Sequence, residues 1–314
     1  MAKDILQMLE EGVVLSDGGM IIEARRRGYS TPEIVAEHPD ALRQIHADFF
    51  QAGSQMLQAL TWWTSGFQLE FGFGWGDRLN DINRTAVECA REASGGEAPV
   101  AGCLMSTTAR VPTSEGELIS TPVFVPDDPS SHDRAKAVFD EHIAALVGAG
   151  VDLLIPETFP SLAEARLCLA CCKKTGVPTM VLMGTGAMDG TYDGVSHPEA
   201  ARILVDEGAD IVGLVCNADP PTMWPKVLGI RQAVDVPIAF QPKGYRTGHN
   251  WSKVEEVAEV TGSEMAEYAL KARAEGINLV GACCGAGPSH IQAMARALRG
   301  EEVAPWSESK IGVG

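Results

Sequence analysis

Eight short apolar runs alternate with amphipathic stretches along almost the whole chain. This alternation constrains the fold more than any other feature. The runs are Val13–Ser16, Gln55–Leu60, Val100–Leu104, Asp152–Pro156, Thr179–Met183, Ile211–Leu214, Ile238–Gln241 and Leu279–Ala282. Between them lie stretches with apolar residues at helical spacing, such as Pro39–Ala52, Arg134–Ala149, Ser161–Lys174, His197–Glu207 and Ser263–Glu275. Parallel strands buried on both faces read as continuous apolar runs and need crossover helices between them. Eight such units predict an α/β chain folded as a single (β/α)8 TIM barrel. Ala52-Gly53, Ala149-Gly150 and Glu207-Gly208 put glycine where a helix C-cap needs it. The expected organisation is one barrel domain over residues 1–300 and a polar tail over 301–314. There is no solenoid repeat and no low-complexity tract.

A barrel of this kind places its chemistry at the C-terminal ends of the strands. The residues just past the apolar runs are Asp17, Thr61-Trp62-Trp63, Glu157, Cys216, Gln241 and Cys283-Cys284. Singly each is a weak signal; together they are polar, metal-binding or aromatic residues on one face. Adjacent strand residues point to opposite faces, so Cys283 and Cys284 converge only if the backbone bends. Gly281, Ala282, Gly285 and Gly287 permit that bend. Cys216 ends another run, so three thiolates form a tripod for Zn²⁺ with a fourth position left to substrate, the arrangement of a catalytic zinc.

Other features bound the function. The chain carries 25 Lys+Arg against 42 Asp+Glu, a formal charge of −17. That balance argues against nucleic acid and anionic membrane as partners, because both need basic patches. No apolar run reaches membrane-span length, and Met1-Ala2-Lys3-Asp4 opens no secretory segment. The expected compartment is the cytoplasm, where thiols stay reduced. Cys168, Cys171 and Cys172 on a predicted helix, and Cys89 and Cys103, are read as packing. The histidines show no metal spacing. Gly66–Gly76, rich in glycine and aromatics, is predicted to be a mobile loop rather than a helix. A homo-oligomer is compatible with all of this.

Several phrases resemble the zinc-dependent homocysteine S-methyltransferase family. They are Ser16-Asp17-Gly18-Gly19-Met20, Glu37-His38-Pro39, Glu157-Thr158-Phe159, Val215-Cys216 and Gly281-Ala282-Cys283-Cys284-Gly285. The run from Asp17 through Gly28-Tyr29, Thr31-Pro32-Glu33 and Ala52-Gly53-Ser54, with Asp219-Pro220 and Gln241-Pro242, looks most like the betaine–homocysteine branch. The resemblance implies a (β/α)8 barrel with Cys216, Cys283 and Cys284 on zinc and homocysteine sulfur as the fourth ligand. It also implies that Asp17 and Glu157 hold the amino acid or the methyl donor.

The chain departs from the betaine enzymes on the donor side. It has Thr158 for Tyr, Val215 for Asn and Trp62-Trp63 for Phe-Tyr, and no counterpart of their long C-terminal arm is expected. Asp17 and Glu157 are therefore the candidate catalytic residues. Asp17, Gly18, Trp62, Trp63, Glu157 and Gln241 are the candidate substrate contacts, with Tyr245 near them. An onium donor is a diffuse cation that aromatic faces attract, so Trp62, Trp63, Phe71, Phe73 and Trp75 are candidates for a cage. The expected activity is methyl transfer from a betaine-type or sulfonium donor to homocysteine, giving methionine. The alternatives are a thiol methyltransferase working with a separate methyl-corrinoid protein, and a non-catalytic zinc- or thiol-binding protein.

Overall fold

The structure, a computed structural model, describes residues 4–107, 110–112, 118–120, 123–247 and 259–303. The expected polar tail lies mostly outside the described residues. Eight parallel strands form one sheet: β1 (Val14–Leu15), β2 (Leu57–Ala59), β3 (Val100–Met105), β4 (Leu153–Phe159), β5 (Met180–Met183), β6 (Ile211–Val215), β7 (Ile238–Gln241) and β8 (Leu279–Val280). Neighbours pair in chain order from β2 to β8, and β8 pairs in turn with β1. The seam between β1 and β2 is bridged largely by side chains. Gln55 N–H donates to Leu15 O (2.7 Å), and Leu15 N–H donates to Gln55 Oε1 (3.0 Å). Gln58 N–H donates to Asp17 Oδ2 (2.8 Å). The Asp17 carboxyl thus takes the place of a strand carbonyl at the barrel's seam.

Alternation along each strand divides the core into two layers. Val14, Met56, Ala101, Leu153, Ile155, Met180, Leu182, Ile211 and Leu279 form one buried cluster inside the barrel. Ile5 and Leu9 of the short helix Ile5–Glu11, which leads into β1, belong to the same cluster. Leu154, Val181, Val212, Leu214, Ile238 and Phe240 belong to the other, between strands and helices. The helices fall where their patterns put them. Pro39–Ala52 ends on Gly53 at φ 116, and Pro129–Ala149 ends on left-handed Gly150. Leu162–Cys172, His197–Asp206 and Gly262–Ala274 each carry a Ser or Thr N-cap. Cys168, Cys171 and Cys172 are buried on the core side of Leu162–Cys172, and Cys89 is buried on Leu79–Ala93.

One expectation is corrected. Gly66–Phe73 is an α-helix, not a loop. Ser65 and Gln68 form a capping box that satisfies the first N–H groups, and Gly74 ends the helix in the left-handed region. Glycine composition suggested freedom; here the glycines permit close packing. Gly66 lies against Glu141, where an added Cβ would sit 2.6 Å from Oε2.

Candidate active site

The end of β7 is the template on which the three cysteines are set. Cys216 N–H donates to Gln241 O (2.9 Å), and Cys283 N–H donates to Pro242 O (2.9 Å). Gly244 N–H donates to Cys284 O (2.8 Å). The backbone bend foreseen at the cysteine pair is clasped from both sides. A Cβ on Gly19 would lie 2.7 Å from Cys283 O and 2.9 Å from Cys284 Cα, and one on Gly18 would lie 2.5 Å from Ala286 O. On the other side Gly285, at φ +91, lets the Tyr245 ring approach to where a side chain would stand. These contacts give Gly18 and Tyr245 a packing reason for being there, whatever else they touch.

The result is a compact sulfur cluster. The Sγ atoms of Cys216, Cys283 and Cys284 all lie within 4.8 Å of one another, the one group of three potential metal-ligating side chains found among the described residues. Cys216 is buried, and Cys283 and Cys284 are half-buried. Hydrogen bonds from the Cys283 and Cys284 thiols hold Cys216 well below the usual thiol range. Burial opposes them, while the Asn217 N–H and the buried Lys243 charge help. Cys283 and Cys284 are pushed up by sharing the cluster with Cys216. Three soft donors so close together fit a tetrahedral thiophilic ion.

Two carboxyls stand at the same end of the barrel. Burial pushes Asp17 up to about 8 against the pull of the Gln58 N–H, and the charge of Glu157 adds to the rise. Burial likewise pushes Glu157 up to about 7, opposed by a hydrogen bond from the Cys103 thiol. Asp17 Oδ1 and Gln241 Oε1 are buried acceptors with no hydrogen-bond partner among the described residues. Gln241 Nε2 donates to Ser16 Oγ (2.6 Å), which fixes that amide across β7 and β1. Ala282 N–H donates to Asp17 O (3.1 Å), tying this acidic residue to the cysteine loop. Two orphaned acceptors at the end of the barrel that carries the sulfur cluster leave hydrogen-bonding capacity that a ligand with N–H donors could satisfy.

The aromatic pair follows β2. Trp62 is half-buried and Trp63 is 9% exposed, with ring centroids 6.4 Å apart and edge-on. The other cage candidates have ring partners already: Phe71 stacks on Phe67, Phe73 packs on Trp75, and Arg78 lies 4.8 Å over the Trp75 ring. That face of Trp75 already carries a cation. Trp63, Thr158, Cys216 and Asn217 are the non-glycine residues with positive φ among those described. Trp63 follows β2, Cys216 and Asn217 follow β6, and Thr158 lies near the end of β4, where the β4–β5 register shifts. Strain of this kind collects where a site is held in a fixed geometry.

Sequence reasoning missed Gln58, Cys103, Ser16 and Lys243 as neighbours of the site. A signal existed for Gln58, a polar residue inside an apolar run. Cys103 had none, because its thiol meets Glu157 only through the pairing of β3 with β4, which sets Cys103 opposite Ile155.

The chain belongs to the homocysteine S-methyltransferase family, whose profile matches residues 14–298. It is an S-methyltransferase built on a TIM barrel. It is 33% identical to betaine–homocysteine S-methyltransferase 1 of Danio rerio over 95% of this chain and 76% of that protein. It is 31% identical to S-methylmethionine–homocysteine S-methyltransferase BHMT2 of Pongo abelii, over 96% of this chain and 82% of that protein. In fold it is similar to a metallated crystal structure of the homocysteine methyltransferase MmuM from Escherichia coli. There the TM-score is 0.73 at 19% identity, over 93% of this chain and 99% of that one. No helix among the described residues is long and apolar enough to cross a membrane.

Proposed function

We propose that the protein transfers a methyl group from a small onium donor to homocysteine, giving methionine, with zinc held by Cys216, Cys283 and Cys284. The observation that carries this reading is the sulfur cluster set beside the orphaned acceptors Asp17 Oδ1 and Gln241 Oε1. Zinc bound there would supply a Lewis acid that keeps the acceptor sulfur a thiolate at neutral pH. Asp17, Glu157 and Gln241 receive the ammonium group of homocysteine, and the carboxyls release their protons to solvent as that cation arrives. This anchors the amino acid at one end so that its sulfur is aimed along one line. The sulfur lone pair then forms the new S–CH₃ bond while the bond from carbon to the onium atom breaks. The electron pair leaves with that nitrogen or sulfur, which departs neutral. Fixing sulfur, carbon and leaving atom in line supplies much of the rate.

On the donor side, Trp62 and Trp63 present ring faces to the cation. The two relatives named above use betaine and S-methylmethionine, a quaternary ammonium and a sulfonium compound. Thr158 and the tryptophan pair reshape that side. We place all of this in one barrel domain over residues 1–300, in the cytoplasm.

The test is methionine formation by zinc-loaded protein with homocysteine and a panel of glycine betaine, S-methylmethionine and dimethylsulfoniopropionate, with metal analysis alongside. Turnover with one donor and about one zinc per chain is the expected result. Bound zinc with tight homocysteine binding but no methionine from any donor would overturn it.

A further inference from the structure

We infer that Thr64, Asn83 and His142 form a buried positioning knot that holds the Trp62–Trp63 segment in its strained conformation and so sets the geometry of the donor side. The inference rests on the reading of the tryptophan pair as a donor contact.

The segment is pinned at both ends. At its start Thr61 Oγ1 donates to Cys103 O (2.9 Å) and accepts from Cys103 N–H (2.8 Å). The Thr61 hydroxyl thus extends the β2–β3 ladder by one step after β2 has ended. At its end Thr64 Oγ1 lies 2.8 Å from Thr61 O and 2.7 Å from Asn83 Oδ1, either of which can accept its proton. Asn83 Nδ2 donates to Thr64 O (2.9 Å) and to Leu79 O (2.8 Å). One amide side chain therefore reads both the backbone and the hydroxyl of Thr64. His142 Nε2 stands 3.1 Å from Asn83 Oδ1 and 3.2 Å from Thr64 Oγ1. Burial drives its pKa down to about 3, so the ring is neutral, and its Nε2–H tautomer donates to this pair. Thr61, Thr64 and Asn83 are fully buried and His142 nearly so.

Trp63, at φ 63, lies between these anchors. A bulky side chain leaves the left-handed region readily unless its surroundings over-determine it. The knot supplies that constraint from outside the site. Asn83 comes from the helix Leu79–Ala93 and His142 from Pro129–Ala149, so two barrel helices fix a loop at the mouth. Capping alone would need only Ser65, which already starts the next helix. The extra polar groups, buried at a cost, act one residue earlier, on the strained tryptophan.

The experiment uses the full chain with zinc and compares Thr64→Val, Asn83→Leu and the conservative Thr64→Ser. For the donor that turns over, Thr64→Val and Asn83→Leu should raise KM about tenfold with a smaller change in kcat. Zinc content and homocysteine Kd should stay within about twofold, and Thr64→Ser should restore KM. Near-ultraviolet circular dichroism of the tryptophans gives a readout free of turnover, expected to change in Thr64→Val and return in Thr64→Ser. A lowered melting temperature with unaltered donor KM or an unaltered tryptophan signal would make the knot merely structural and overturn the inference. If Trp62→Ala and Trp63→Ala raise donor KM while Thr64→Val does not, the knot alone falls. If those tryptophan variants also leave KM unchanged, the donor reading falls and the inference with it.

Discussion

The two halves of the candidate site are held by different means. On the acceptor side, around β6, β7, β8 and β1, backbone meets backbone: Gln241, Pro242 and Gly244 fix the cysteines, and Gly18-Gly19 and Gly285 leave room for the contact. On the donor side, around β2, side chains do the holding, through Thr61, Thr64, Asn83 and His142. Backbone templates tolerate little change, since any added atom meets another main chain. Side-chain networks can be rebuilt by substitution. On the reading from the resemblance, that difference would let the sulfur cluster keep the family motif while Trp62, Trp63 and Thr158 change.

The comparison breaks first at the sulfurs. Cys216→Ala or Cys283→Ala should leave the purified protein without zinc and reduce methionine formation to background; metal analysis beside the assay checks both. Gly19→Ala tests the backbone template itself. Its Cβ would meet Cys283 O at 2.7 Å, so the cysteine loop must shift, and metal affinity should fall about 10–100-fold, read by competition with a chelator. A Trp62→Ala change should act on the other half only. Loss of a cation–π contact of about 0.5–2 kcal/mol corresponds to a rise of about 2- to 30-fold in donor KM, with homocysteine affinity unchanged in calorimetry.

The remaining effects are on stability against pH, and they have opposite signs in the two halves. His142 on the donor side has its pKa lowered from 6.5 to about 3 by burial. The unfolded chain takes up the proton first, so this contribution is present above pH 6.5 and is lost as pH falls toward 3. Asp17 on the acceptor side is raised from 3.8 to about 8. The folded, ligand-free chain holds that proton longer, so stability is full below pH 3.8 and declines as pH rises toward 8. Each group contributes a slope of at most about 1.4 kcal/mol per pH unit. Denaturant unfolding across pH should show His142→Gln flattening the acid limb and Asp17→Asn flattening the neutral one. A shared response of both variants would erase the distinction.

How much of this was legible in the chain differs between the halves for the same reason. Cys283-Cys284 between glycines and Cys216 at a strand end are local signals, and the eight apolar runs fixed their barrel addresses. The knot could not be read. Asn83 and His142 sit on helices whose patterns mark only a buried face, and they meet Thr64 across 19 and 78 residues of chain. Gly66–Gly76 misled for a related reason: glycine content signals both freedom and close packing, and only the Glu141 side chain against Gly66 decides between them.

By itself, the sequence determined the alternation that builds a parallel barrel, the strand ends where chemistry collects, and the family motif carried by Asp17, Glu157 and the three cysteines. Those are consequences of periodicity and of residue types at fixed spacing. Only the tertiary structure decided that the β7 end aligns all three thiols. It also showed that Asp17 bridges the barrel seam, that Cys103 meets Glu157, and that a buried histidine joins Thr64 and Asn83 next to the tryptophan pair. Each of those is a contact between distant parts of the chain, set by the closure of the barrel and the packing of helices on it, which no local pattern encodes.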